Sequence, residues 1–213
     1  DDGIEWFGGT VNVTHAVLTG NDDDDIDFDT GYKGNIQFAI VRKNPDATAP
    51  QGSNDPRGIE ANSSDDEYVP QTEGAVANVT IIGSAVNKAE NSNGDGLQPG
   101  MRLRGSLTTR IYNTAVVNFD DCVRVDDSDT DGDDTVDDFS DVTLVNVIGA
   151  CDDKFYAKRD ADVENGTVGM ESAITLDSAV AITNDFAADL SAVSFSAVAN
   201  GSGFAFEATD YIG

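Results

Sequence analysis

The sequence predicts an all-β chain wound as a right-handed parallel β-helix, a solenoid with acidic corner loops and a C-terminal capping segment. Three observations predict it. Two short apolar motifs alternate along the chain, their aliphatic positions align into columns from repeat to repeat, and insertions of variable length fall at the same places between them. A repeat that cannot bury its apolar face alone buries it by stacking on its neighbours.

The first motif is a brief strand after acidic or glycine residues. Its copies are Gly3-Ile4-Glu5-Trp6, Asp25-Ile26-Asp27-Phe28, Gly58-Ile59-Glu60-Ala61, Gly96-Leu97-Gln98 and Cys122-Val123-Arg124-Val125, with Lys154-Phe155-Tyr156 as a sixth. The second is a longer β-branched strand: Val11 to Leu18, Asn35 to Val41, Asn78 to Ile82, Arg110 to Val117 and Asp141 to Ile148. Aligning the second motif gives a column of Val13, Ile36, Val79, Ile111 and Val142. Two positions on lies a column of His15, Phe38, Ile81, Asn113 and Leu144. Strand side chains alternate faces with period two, so both columns are expected to point into one core. The connections are long and carry no strong helical period, which argues against a doubly wound α/β sheet; a β-sandwich is the next alternative.

Insertions at residues 61–75 and 126–140 fall between the first and second strand of their coils. Those at 44–56 and 85–95 follow the second. Solenoids accept insertions at corners in this way, and 61–75 and 126–140 should project from one corner, roughly 10 Å apart at a rung spacing of about 4.8 Å. Residues 1–160 read as coils. Residues 161–213 lose the repeat and read as a capping segment of the same domain, with one or two final strands and a short helix near Asn184 to Leu190. The chain opens and closes inside segments that read as structured, which suggests a mature or trimmed piece of a longer precursor.

The 213 residues carry a formal net charge of -28, with 12 Lys plus Arg against 40 Asp plus Glu. Such a field repels phosphate, so nucleic acid is excluded as a partner, and an anionic membrane surface is disfavoured. No apolar run is long enough to insert into a membrane. Cations are the natural counterpart, and solubility in a salty medium is the plainest reading of the charge. Two cysteines, Cys122 and Cys151, fit one disulfide in an extracellular chain, the alternative being two unpaired thiols. The alignment sets them on neighbouring coils, three positions out of step. Asn-x-Ser/Thr sequons at Asn12, Asn62, Asn78, Asn165 and Asn200 are weak glycosylation candidates, because such triplets arise often by chance in a chain of this composition.

Four segments carry a family resemblance: the opening run from Asp1-Asp2-Gly3-Ile4-Glu5-Trp6-Phe7-Gly8-Gly9 to Asn12, the run from Asp24-Asp25-Ile26-Asp27-Phe28 to Gly34, Arg57-Gly58-Ile59-Glu60, and Thr209-Asp210-Tyr211-Ile212-Gly213. The chain resembles secreted or outer-membrane parallel β-helix proteins of marine bacteria, of the pectin-lyase-like kind, most of them uncharacterised. The resemblance implies the fold and an extracellular or cell-surface location. It implies no activity.

The sharpest chemical signal is Asp127-Ser128-Asp129-Thr130-Asp131-Gly132-Asp133. Alternating carboxylates around a glycine turn converge on one point, and the spacing resembles calcium loops. Asp138 stands at the twelfth position in place of a long bidentate Glu, so the geometry departs from a standard EF-hand. A second acidic set is expected from the coil alignment: Asp2, Asp24, Asp95, Asp121 and Asp153 in one column, with Arg57 on the third rung. Stacked carboxylates about 5 Å apart repel by roughly 1 kcal/mol or more per pair, so hydration, Arg57 or calcium must offset them. His15 is the only histidine and is expected in the core, which makes a Ser-His-Asp triad improbable.

These readings point to a non-enzymatic, extracellular, calcium-stabilised module for surface structure, adhesion or a fibre, self-associating through exposed coil ends or binding extracellular polysaccharide. The alternative is a carbohydrate-binding protein or calcium-dependent polysaccharide lyase, for which Arg57, Arg102, Arg104 and Arg124 are candidate bases near Asp95 and Asp121.

Overall fold

A computed structural model describes residues 2–44, 56–63, 69–84, 98–126, 140–145, 147–152, 154–158 and 174–176. The described elements are all strands: β1 (Ile4–Gly9), β2 (Val13–Thr19), β3 (Ile26–Tyr32), β4 (Asn35–Arg42), β5 (Ile59–Ser63), β6 (Ala75–Ile82), β7 (Met101–Gly105), β8 (Thr108–Tyr112), β9 (Ala115–Val117), β10 (Asp121–Asp126), β11 (Asp141–Val145), β12 (Ile148–Ala150), β13 (Lys154–Lys158) and β14 (Ile174–Leu176). Every pairing is parallel and joins one coil to the next. The first sheet runs β1-β3-β5-β7-β10-β13. The second is built on β2-β4-β6 and continues through β8, β9, β11, β12 and β14. The chain is a parallel β-helix.

Period-two alternation in the first sheet sends Ile4, Ile26, Ile59, Met101 and Val123 inward on successive rungs, and two residues on Trp6, Phe28, Ala61, Leu103 and Val125. Apart from the first rung, all of these are buried. Each large aliphatic buried this way contributes about 1.5–3 kcal/mol, so stacked rungs carry the stability. The aromatic rings of Trp6 and Tyr32 stack at 5.0 Å, and Tyr32 donates its hydroxyl to the Val11 carbonyl at 2.7 Å. The fourth rung of this sheet is Met101–Gly105 and not the expected Gly96-Leu97-Gln98, since Ile59 pairs with Met101. Gly105 ends that strand at φ 65°, where an added Cβ would lie 2.1 Å from the Ser63 carbonyl oxygen; only glycine fits.

The second sheet corrects two expected columns. Its inward column is Val13, Ile36, Val76, Ile111 and Leu144, so Val79 and Val142 leave the set. Val142 pairs with Thr109, two residues short of the Ile111–Leu144 pair, and for Val79 the cause is a bend in the strand. His15, Phe38, Asn78 and Asn113 all hold left-handed backbone, with φ from 47° to 60°. One left-handed residue resets the alternation, so counting by two fails beyond it. After the bend the inward residues are Ala39 and Val79, then Leu18, Val41, Ile81 and Val116. The column at the bend is therefore His15, Phe38, Asn78 and Asn113, and Ile81 and Leu144 belong to others. His15 is exposed, not core, and lies 5.0 Å from the Phe38 ring. Asn113 donates Nδ2 to Asn78 Oδ1 at 3.1 Å, tying adjacent bends. The bend also splits the fourth coil into β8 and β9, which is why β6 pairs with both.

Cys122 and Cys151 form a disulfide across a Cα–Cα distance of 5.6 Å and a sequence separation of 29, closing most of one turn of the solenoid. β14 stacks on β11 and so extends the second sheet past residue 160; the region expected to hold a helix near Asn184 to Leu190 lies outside the described residues.

Candidate functional site

The outward positions of the first sheet form two adjacent columns. One is Glu5, Asp27, Glu60, Arg102 and Arg124. The other begins Phe7, Asp29 and ends Asn62, Arg104, Asp126, with Asn62 Nδ2 donating to Asp29 Oδ2 at 3.3 Å. A cleft of about 320 Å³ opens on this face. Its lining includes Asp2, Glu5, Asp24, Asp27, Arg57 and Glu60, with Arg102 and Arg104 at one end. The residue after Ile in each of the first three copies of the short motif supplies Glu5, Asp27 and Glu60. That pattern is the signal by which the sequence could have revealed the cleft.

The basic half is internally neutralised. Glu60 receives Arg57 at 3.1 Å, Arg104 at 3.3 Å and Arg102 at 3.6 Å. Arg102 Nε also donates to Asp126 at 2.7 Å, and Arg124 lies 3.6 Å from Asp126. Arg57 and Arg124 both donate to Gln98 Oε1, at 3.0 and 3.4 Å. Asp24 completes the chain, accepting from the Arg57 backbone N–H at 3.0 Å and facing its guanidinium at 3.3 Å. Burial alone would push Glu60 up, but the guanidiniums of Arg57, Arg104 and Arg102 outweigh it and hold Glu60 below the usual carboxylate range. Asp24 is raised, by burial first, against the pull of Arg57.

The acidic half has no such relief. Carboxylate oxygens of Asp2, Glu5 and Asp27 lie within 4.8 Å of one another. Burial first, then the charges of Glu60, Asp2, Glu5 and Asp29, push Asp27 up to about 8. Asp2 is raised by burial and by Asp23 and Glu5. The buried Asp27 Oδ1 has no hydrogen-bond partner. Ligand oxygens on opposite sides of one calcium ion lie about 4.8 Å apart, twice a bond of about 2.4 Å, so the three carboxylates fit one ion.

The expected acidic column is present only in part. The register that joins Gly3 to Asp24 and Asp25 to Arg57 stacks Asp2, Asp24 and Arg57. Pairing of Ile59 with Met101 then puts Pro99 on the next rung in place of Asp95, and Asp121 pairs with Lys154 in place of Asp153. Asp24 is buried against Arg57 and Asp121 is not part of the cleft lining. Asp95, Asp153 and the loop aspartates Asp127, Asp129, Asp131, Asp133 and Asp138 lie outside the described residues, as do Asn165 and Asn200. Of the remaining sequons Asn12 is exposed. Asn62 is 8% exposed and bonded to Asp29, and Asn78 is bound into the bend ladder.

The sequence profile described as the pectate-lyase-like β-helix domain matches residues 1–205. No curated protein and no solved structure matches the chain.

Proposed function

This chain belongs to the pectate-lyase-like β-helix domain family, and from that premise we propose that it is an extracellular, non-catalytic module that binds polysaccharide with the help of calcium. The fold fits a polysaccharide-related or structural role. The observation that carries the finer reading is the division of the cleft. Arg57, Arg102 and Arg104 converge on Glu60 at one end, while Asp2, Glu5 and Asp27 crowd together at the other with no ion pair to a guanidinium or lysine among the described residues. Calcium held by Asp2, Glu5 and Asp27 keeps coordination positions for sugar hydroxyl or carboxylate oxygens. Phe7 stands 71% exposed on the same face, two residues from Glu5, and offers a sugar ring an apolar platform. The Cys122–Cys151 disulfide supports an oxidising, extracellular setting. A second calcium site at Asp127, Asp129, Asp131, Asp133 and Asp138 belongs to the same proposal on spacing alone.

The ion pairs favour binding over lyase chemistry. Arg57, Arg102, Arg104 and Arg124 each face a carboxylate, and a guanidinium so paired stays protonated and makes a poor base. The test is retention on an array of uronate-containing and neutral polysaccharides, with calcium and with a chelator. Calcium-dependent retention that Glu5→Gln weakens is expected. No retention on any glycan with calcium present overturns the proposal, and unsaturated sugar products would overturn its non-catalytic part.

A further inference from the structure

A second constellation lies at the corner between β2 and β3 and takes no part in the cleft. Lys43, just past β4, is a fully buried lysine, its side chain 1% exposed. Its Nζ lies 2.7 Å from Asp25 Oδ2, whose side chain is 0% exposed, in an ion pair that lacks hydrogen-bond alignment. The other oxygen, Asp25 Oδ1, accepts from the carboxamide of Asn21, Nδ2 to Oδ1 2.5 Å. Lys43 Nζ also donates to the backbone carbonyls of Asp23 and, at 3.5 Å, Asn21. The carboxamide is pinned from outside: a Cβ on Gly3 would lie 2.6 Å from Asn21 Nδ2. One buried carboxylate thus holds an amine on one oxygen and a carboxamide on the other.

We propose that Lys43 and Asn21 become joined by an isopeptide bond that the chain forms by itself, with Asp25 carrying the protons. An ammonium is no nucleophile, and a buried ion pair is costly. The proton passes from Lys43 Nζ to Asp25 Oδ2. The freed amine attacks Asn21 Cγ, and the carbonyl becomes a tetrahedral centre. Asp25 returns its proton to Asn21 Nδ2 and takes one from the attacking nitrogen. The Cγ–Nδ2 bond breaks, ammonia leaves, and the Nζ–Cγ amide remains. Ammonia carries away the last proton as ammonium, and Asp25 ends as it began. No oxidant, metal or co-reactant enters. Holding the reactants together replaces a bimolecular step by one within the fold.

The bond has a clear structural place. Gly20 N–H donates to the Arg42 carbonyl, so this corner already joins the first coil to the second. The first coil is the less well buried of the two: Trp6, Ala16 and Leu18 are only partly covered, whereas Phe28, Ala39 and Val41 are fully so. A covalent tie there fixes the first coil to the second, and a reductant does not open it.

The experiment is mass spectrometry of the full chain, denatured and reduced, followed by peptide mapping. The expected result is a mass below that of the sequence by one ammonia, and a branched peptide joining the segment with Asn21 to the segment with Lys43. Lys43→Arg and Asp25→Asn should each restore the full mass. A succinimide at Asn93, Asn165 or Asn200, each followed by glycine, also loses ammonia; it gives no branched peptide and survives Lys43→Arg. Full mass in the unaltered protein overturns the proposal. So does loss of water with a Lys43–Asp25 link, and so does an ammonia deficit without the branched peptide.

Discussion

Protons and calcium should compete for Asp27, and the size of the competition follows from its surroundings. Asp27 sits beside Glu60, Asp2 and Glu5 with its carboxyl pushed up to about 8. Calcium takes the carboxylate, so binding requires that proton to leave. At about pH 6 the proton is two units below its midpoint, which costs about 2.7 kcal/mol and lowers affinity about a hundredfold from the fully ionised limit. At about pH 8 half the molecules are already ionised, so the ratio between the two conditions is about fiftyfold. Isothermal titration with calcium at both pH values measures it directly. Asp27→Asn keeps the shape and removes the titrating group. Its affinity should be weaker than that of the unaltered protein at the higher pH and nearly flat between the two. Without calcium the sign reverses for stability. A folded-state value raised above 3.8 means the folded protein holds a proton that the unfolded chain releases, so stability falls as pH rises from about 4 to about 8 and levels off above. Equal calcium affinity at both pH values, or an unchanged slope in Asp27→Asn, would refute the assignment of this carboxyl to the ion.

Other expectations follow from the packing. Arg57→Ala strands the buried Asp24, 3.3 Å from its guanidinium, while leaving Glu60 to Arg102 and Arg104, and should cost about 3–5 kcal/mol in urea unfolding. Cys122→Ser opens a loop closed over a separation of 29 residues and should cost about 3–4 kcal/mol by loop-closure entropy, read from the shift in the unfolding midpoint. Leu103→Ala leaves a void on a buried rung and should cost about 2–5 kcal/mol, whereas Leu18→Ala on the half-covered first coil should cost less; equal losses would contradict the burial gradient. Phe7→Ala should leave the melting temperature within a few degrees and weaken glycan retention, because that ring is 71% exposed.

The solenoid was legible because stacking demands like residues at like places. Ile4, Ile26 and Ile59 announce themselves in three copies of one motif, and the paired rungs match. The bend was not legible. His15, Phe38, Asn78 and Asn113 share a left-handed backbone but not a side-chain type, and Phe38 is of a type rare in that conformation. A column counted by two therefore drifted, carrying Val79 into it and His15 into the core, while Val142 was set two residues short of Leu144, the true partner of Ile111. The fourth rung of the first sheet went astray for a related reason: Gly96-Leu97 and Gly100-Met101 are both glycine followed by an aliphatic, and only the pairing with Ile59 chooses between them. The cleft was half visible. Arg57, Arg102, Arg104 and Arg124 stood out as rare cations, but their convergence on Glu60 and Asp126 depends on the pairing of rungs that lie far apart in sequence.

The surplus of acid on the cleft face raises the question of what lets a fold stack carboxylates at all. Two unit charges about 4.8 Å apart repel by about 1 kcal/mol in water and about 3.5 kcal/mol at the effective dielectric of a half-buried site. A fully buried aliphatic on the inner face of the same rung contributes about 1.5–3 kcal/mol. Stacking of Ile26 on Ile59 therefore only roughly offsets the repulsion of Asp27 against Glu60 directly outside it. The outcome is decided by neutralisation, and the two halves of the cleft reach it differently. From Glu60 onward the outer column changes sign to Arg102 and Arg124, so each rung supplies its own counter-charge. From Asp27 back to Glu5 it does not, and a proton on Asp27 is what relief the chain itself can offer. A proton is displaced as pH rises toward 8, while calcium is not. The acidic half is thus the part of the molecule whose stability is referred to the solvent, and the calcium binding proposed for it predicts that added calcium stabilises the first coils before any other part.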